Sequence, residues 1–369
     1  MTLRKMRLLT ALVLVATITA ACEEQRHTSP QKSQSGLLTL DTVPLVDIGP
    51  TSPTDSVGMI GYATGATRLS NGVIAVADDY MPGVRFYKPS GEDLRATGGL
   101  GSGPSEFQGL LNWLGQCGAD SVFVWDMMAG LMSVLDTAGR VVRRFPVSGD
   151  PGYFACSRSG LLAVLAVPKV FPEAAASAPH VRGEMTLRDT EGRVKLSLGE
   201  IPYAEYRPLG KLTRFAVARE FLYVGTADSA FIDVYTVGGA RVEAVPVGTP
   251  TRRPTDKHYA RAIDALVAPF TDRDQRASEK SRLLQIRKPE AMPPYTAVLA
   301  DPNDYLWVVT SAPGDGETRF RVISRGGTAI DLRLPLELNV FDIGEDYVLG
   351  AYETLAGEQR VVMYRVSRL

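Results

Sequence analysis

Histidine is nearly missing from this chain. There are three in 369 residues, His27, His180 and His258, and their spacing does not let them converge on a metal. That excludes a histidine-built zinc centre, and no serine–histidine or cysteine–histidine nucleophile pair is visible either. An excess of charge of one sign is also absent. The 40 Lys and Arg nearly balance the 41 Asp and Glu, leaving a formal net charge of −1. No overall field therefore draws the chain to nucleic acid, and none is expected as a partner. Cysteine is as scarce as histidine, with only Cys22, Cys117 and Cys156. The longest apolar run, Leu8 to Ala20, is too short to cross a bilayer comfortably.

That run follows Arg4, Lys5 and Arg7 and ends in Ile18-Thr19-Ala20-Ala21-Cys22, so residues 1–21 read as a secretion signal. Small residues just ahead of a cysteine resemble the bacterial lipobox, with Thr19 where Leu is usual. The resemblance implies cleavage before Cys22 and lipid on its thiol, which would tie the protein to a membrane of the bacterial cell envelope. It would then face the periplasm or the cell surface. The other reading is a soluble secreted protein with a free Cys22. Residues 22–36 are polar with no apolar period and read as a flexible tether.

From residue 37 to 369 one unit recurs six times: two inner strands, then two outer strands, each pair hinged on a small-residue turn. Inner turns fall at Ser70-Asn71-Gly72, Ala119-Asp120, Arg158-Ser159-Gly160, Arg219-Glu220, Pro302-Asn303-Asp304 and Gly344-Glu345-Asp346. A four-stranded unit that cannot bury its own faces predicts a β-propeller. The sixth unit is one strand short at its end, and Leu37 to Ile48 can supply that strand and leave no open edge. The expected fold is all-β: a six-bladed β-propeller of four-stranded blades, closed by the N-terminal strand. One helical insertion is expected at about 249–294.

The stretch Gly98-Gly99-Leu100-Gly101-Ser102-Gly103-Pro104-Ser105-Glu106-Phe107 resembles a linker of bacterial six-bladed β-propeller lipoproteins, relatives of NHL-repeat proteins. Pro293-Pro294-Tyr295, then Asp301 and Leu306-Trp307-Val308, resemble the same family, as does the ending Val361 to Leu369. The resemblance implies the fold and leaves activity open, because such propellers host many functions. The glycines are not a phosphate cradle. They lead into another strand, Leu110 to Leu114, and lack the lysine and the helix N-terminus that a cradle needs. They read as a tight crossing between blades. Cys117 and Cys156 stand just before the inner turns of successive units, so they are expected on neighbouring inner strands, either bonded or as two buried thiols a blade apart.

Two groups of residues are candidates for function. Asp78, Asp79 and Asp126 end inner strands and Asp228 lies just past one, where they could bind calcium at the axial channel or simply accept loop amides. Regucalcin-like lactonases have a similar fold with an axial metal site, which makes a metal-assisted hydrolase the alternative function. Strand alternation places two insertions, Pro168 to Arg182 and Gly248 to Pro294, on one face of the disc. The second holds a helix capped by Thr255, with Tyr259, Ile263, Leu266 and Phe270 expected to pack on the propeller. Its cations Arg252, Arg253, Lys257 and Arg261, together with Tyr203, Tyr206 and Arg207 from the crossing before the fourth blade, form the candidate ligand face. A binding or scaffolding module without a cofactor is the expected function, with a protein, peptide or glycan as partner.

Overall fold

The structure, a computed structural model, describes residues 38–50, 59–167, 181–205, 207–267, 270 and 272–368. Strand β1 (Leu38–Ile48) precedes the first complete blade, which holds β2 (Ala63–Arg68), β3 (Ile74–Asp78), β4 (Gly83–Tyr87) and β5 (Asp93–Gly98). The second has β6 (Leu111–Gln116), β7 (Val122–Asp126), β8 (Leu131–Leu135) and β9 (Val141–Pro146). The third has β10 (Asp150–Cys156), β11 (Leu162–Val167), β12 (Val181–Arg188) and β13 (Val194–Ala204). The fourth has β14 (Arg214–Val217), β15 (Phe221–Gly225), β16 (Phe231–Thr236) and β17 (Arg241–Pro246). Two helices follow, α1 (Asp256–Val267) and α2 (Arg273–Leu284). The fifth blade is β18 (Ala297–Ala300), β19 (Leu306–Val309), β20 (Thr318–Ile323) and β21 (Ala329–Leu334). The sixth is β22 (Asn339–Ile343), β23 (Tyr347–Glu353) and β24 (Gln359–Arg368), with β1 as its outer strand. Every pair of neighbouring strands within a blade is antiparallel, and the fold is the expected six-bladed β-propeller.

Ring closure follows the expected pairing. Leu38 faces Arg368, Leu40 faces Val366 and Val46 faces Met363, with a bulge around Pro44. Proline cannot donate to a ladder, and an outer strand is where a sheet accommodates it. The motif Asp301…Trp307 helps to hold the closure. The Asp301 carboxylate accepts from Asn303 N, Tyr305 N and the Trp307 indole N–H at 2.8, 3.0 and 3.0 Å, and Arg368 reaches it from the last strand at 2.5 Å.

Apolar residues form the core between blades rather than within them, because each sheet buries both faces against its neighbours. Val46, Ile48 and Met363 of the sixth blade pack on Ile74, Val76 and Tyr87 of the first, and equivalent clusters fill the junctions around the ring. Phe107, at the end of the glycine-rich linker, is fully buried between the first two blades. Gly98 has φ +113°, and a Cβ there would meet the Phe107 ring at 2.6 Å, so glycine is required. The linker is thus the expected crossing.

Cys117 and Cys156 sit at the ends of β6 and β10, the innermost strands of the second and third blades, with Cα atoms 5.3 Å apart and their sulfurs bonded. The bridge closes a loop with a sequence separation of 39. Chain entropy for a loop of that length gives about 4 kcal/mol of stabilisation. Reduction, or the double substitution Cys117→Ser/Cys156→Ser, is expected to lower the denaturant midpoint accordingly. An unchanged midpoint would show that the bridge adds nothing.

The insertion differs from expectation in carrying a second helix. Helix α2 is charged on nearly every side and buries only Leu283, so no apolar stripe announces it. Its sequence signal is Asp272, whose side chain caps Gln275 N at 2.7 Å. The apolar stripe of α1 packs mainly on this second helix. Tyr259, Ile263 and Val267 meet Leu283 and Ile286, with Leu209 as the contact from the propeller.

Candidate ligand-binding site

Strand alternation gives the disc two distinct faces. One carries the crossings between blades and the loops between the second and third strands of each blade; the other carries the tight turns. The insertion belongs to the crossing face. Strand β1 begins on the turn face, since Leu38 pairs with Arg368 at the end of β24, and it leaves on the crossing face at Ile48.

Beside the insertion, between the fourth and fifth blades, lies a cavity of about 840 Å³. Four prolines are among its lining residues. Pro250 leads into the insertion, and Pro289, Pro293 and Pro294 lead out of it. The two stems are joined by Met292 N donating to Arg252 O at 2.8 Å. Tyr295 then enters the junction between the two blades. Its hydroxyl accepts from Ala227 N at 2.8 Å and occupies space that a side chain at Gly225 would need. Burial pushes this phenol up to about 12.

The cavity wall is cationic. Arg207, Lys211, Arg252, Arg319, Arg321 and Arg333 line it against Asp228 and Asp331. Lys211 pairs with Asp228 at 3.0 Å, Arg321 pairs with Asp331 at 2.9 Å, and Arg207 pairs with Glu205 at 2.7 Å. Arg333 has no ion-pair partner among the described residues. An incoming anion therefore meets one uncommitted guanidinium and several whose exposed pairs are weak enough to be exchanged.

One carboxylate holds the wall together. Asp315, in the loop between β19 and β20, is largely buried. Its Oδ1 accepts from Arg252 at 2.6 Å and faces His258 Nε2 at 2.9 Å. Its Oδ2 accepts from Arg252 at 3.0 Å, Arg319 at 2.6 Å and Ala312 N at 2.9 Å. Burial alone would raise this carboxyl, but the bonds from Arg252, Ala312 and His258 outweigh it and hold the group well below the ordinary carboxylate range. His258 in turn accepts at Nδ1 from Thr255 N at 3.1 Å, and Thr255 Oγ1 accepts from His258 N at 3.3 Å. A backbone N–H can only donate, so Nδ1 is unprotonated and Nε2 donates to Asp315. The histidine caps the helix and docks it on Asp315.

The expected candidate residues part company here. Arg207 and Arg252 line the cavity. Arg253, Lys257 and Arg261 are exposed on the insertion outside it. Tyr203 is not in the crossing at all. Long β13 continues through it against β12, and its ring packs between the third and fourth blades over Gly152. Tyr206, Cys22 and residues 168–180 lie outside the described residues.

The carboxylates read as possible calcium ligands serve loop amides. Asp78 accepts from Gly61 N, Tyr62 N and Tyr80 N at 3.0–3.1 Å. Asp126 accepts from Gln108 N at 2.7 Å and Ala129 N at 3.0 Å, and Asp79 accepts from Leu111 N at 2.7 Å. Burial raises the Asp79 carboxyl and the Leu111 N–H offsets part of that, while Asp78 and Asp126 add repulsion. Asp228 lies elsewhere, on Lys211. Among the described residues no group of three or more His, Cys, Asp or Glu is arranged to hold a metal ion.

Sequence reasoning also missed a network at the turn face. Arg158 of the third blade reaches across the axis to the opposite blade and donates to the Tyr347 hydroxyl at 2.9 Å. Tyr347 donates to Asp342 at 2.6 Å, Thr67 donates to the same oxygen at 2.8 Å, and the Arg68 guanidinium stacks on the Tyr347 ring. Burial first and the Asp342 charge second push that phenol well above its ordinary range.

No family model matches the chain, and no curated protein matches it. Among solved structures, it is similar to a protein of Bacteroides fragilis whose name marks it as exported. That match has 13% identity and a TM-score of 0.53 over 90% of this chain and 95% of the other. It is also similar to a DUF4221 family member from Bacteroides vulgatus, with 10% identity and a TM-score of 0.53 over 91% of this chain and 100% of the other. At these identities the likeness shows the fold alone.

Proposed function

We propose that the protein is a binding module of the bacterial cell envelope, held by lipid on Cys22, that takes an anionic peptide or glycan in the cavity beside its insertion. The cavity carries this reading: about 840 Å³ of prolines and apolar side chains under a cationic wall, within the size range of ligand sites. Export is supported by the charged and apolar N-terminal segment and by the bonded Cys117 and Cys156, which suit an oxidising compartment.

Acidic peptides and acidic oligosaccharides, each with and without calcium, should be screened for thermal stabilisation of the wild type and of Ser229→Trp, which fills the cavity mouth. A ligand at a hundredfold excess over its Kd is expected to add about 2.7 kcal/mol to the wild type. The Trp variant should gain little. No stabilising compound, or equal gains in both proteins, would remove the cavity as the site. Separately, labelled palmitate is expected on the wild type and absent from Cys22→Ala, and equal labelling would remove the anchor.

A further inference from the structure

The crossing face carries a second feature, on blades away from the cavity. Among the described residues, every exposed large apolar side chain that lies outside a strand is on this face, and none is in a turn of the opposite face. Most belong to the sixth, first and second blades. Tyr80 is 78% exposed, Leu100 73%, Met128 61% and Tyr62 56%, with Met81 and Met127 beside them. The loops that bear them are joined. Tyr80 lies directly over Gly61, Met127 N donates to Leu110 O at 3.2 Å, and Leu100 packs on Gly109.

The buried carboxylates of the first two blades are what fix these loops. Asp78 ties Gly61, Tyr62 and Tyr80 to one point, and Asp126 ties Gln108 to Ala129. Asp79 links the first blade to the second through Leu111 N. The apolar side chains are thus displayed on a backbone already ordered before any partner arrives, which lowers the entropy cost of docking. Exposed tyrosine and methionine on rigid loops have the composition of an interface centre.

We infer that this half of the crossing face docks a protein partner through apolar anchor side chains flanked by acidic residues. The charge pattern selects that occupant. Across the same face, Arg253, Lys257 and Arg261, which lie outside the cavity, have no ion-pair partner among the described residues, whereas Arg252, Lys280, Arg282 and Lys288 of the insertion are all paired. A partner covering both regions gains if it is acidic beside its apolar centre. A second copy of this chain brings no acidic flank: paired in full register, its unpaired cations would meet one another or the apolar half.

The test uses a random dodecapeptide display library panned on the immobilised whole protein, with Tyr80→Glu/Met128→Glu as the counter-target. Both substitutions are at exposed loop positions, and an unchanged melting temperature confirms that the variant is folded. Enriched peptides are expected to combine Trp, Phe or Leu with Asp or Glu, and to bind the variant about thirtyfold more weakly, the loss typical of hot-spot residues. Their affinity for the wild type should fall with added salt. No enrichment, enrichment of basic peptides, or equal binding to the variant would overturn the inference. So would binding to phosphatidylglycerol vesicles, or dimerisation in sedimentation, that the two substitutions abolish.

Discussion

A chain beginning at Gly49, without β1, is expected to lose its cooperative unfolding transition and to aggregate. The strand contributes Leu38 to the junction between the fifth and sixth blades and Val46 and Ile48 to the junction between the sixth and first. Burying three such side chains stabilises by roughly 5–9 kcal/mol. That is comparable with the whole stability of an ordinary domain, about 5–15 kcal/mol. Removal also exposes β24 as an open edge that can pair with other chains. Asp47 would go as well, leaving Arg360 without its 2.7 Å partner. A circular permutant separates loss of the strand from loss of the terminus. Because Leu38 pairs with Arg368, a short linker can join the two ends, with new ends opened at Pro89-Ser90-Gly91. The permutant should fold with a midpoint near that of the wild type. A truncated chain that melts cooperatively at the original temperature would show that closure is not needed.

The ring was legible because its determinants are local and repeated. Each blade announces itself by a turn such as Ser70-Asn71-Gly72 between β-branched runs, and one missing strand at one end matches one spare strand at the other. The cysteines were legible for the same reason, as equivalent places in successive units. The site was less so. Its cavity depends on Asp315 meeting Arg252, 63 residues away, and nothing in the run Ala312-Pro313-Gly314-Asp315-Gly316 marks that aspartate as different from any turn carboxylate. The Arg158–Tyr347 contact joins residues 189 apart across the axis. Helix α2 buries one residue, so periodicity could not find it. Asp78 and Asp126 were visible, but their occupation by loop amides rather than an open axial position emerges only once the crossings are in place.

Asp315→Asn is expected to release the insertion while leaving the blades folded. The amide keeps one acceptor oxygen but turns donors toward Arg252, Arg319 or Ala312 N, and it removes the charge that both guanidiniums face. Breaking a buried pair costs about 3–5 kcal/mol, and the lower end applies because both arginines keep about a third of their surface in water. That energy acts on docking of α1 and α2, whose own apolar contacts are mostly with each other, so opening is local. Trypsin should therefore cut between Arg252 and Lys288 about a hundredfold faster in the variant, with the global midpoint shifting much less. The pH dependence has a definite sign. Folding lowers the affinity of this carboxyl for protons, so its stabilisation is complete above the unfolded value of about 3.9 and fades only as pH falls toward the lower folded value. Hydrogen exchange of the α1 amides, corrected for intrinsic rate, should stay protected in the wild type from pH 7 down to about 4. In the variant those amides should lack protection throughout that range. Equal protection in the two proteins at pH 7 would mean that the insertion is held by something other than this carboxylate, and the cavity wall with it.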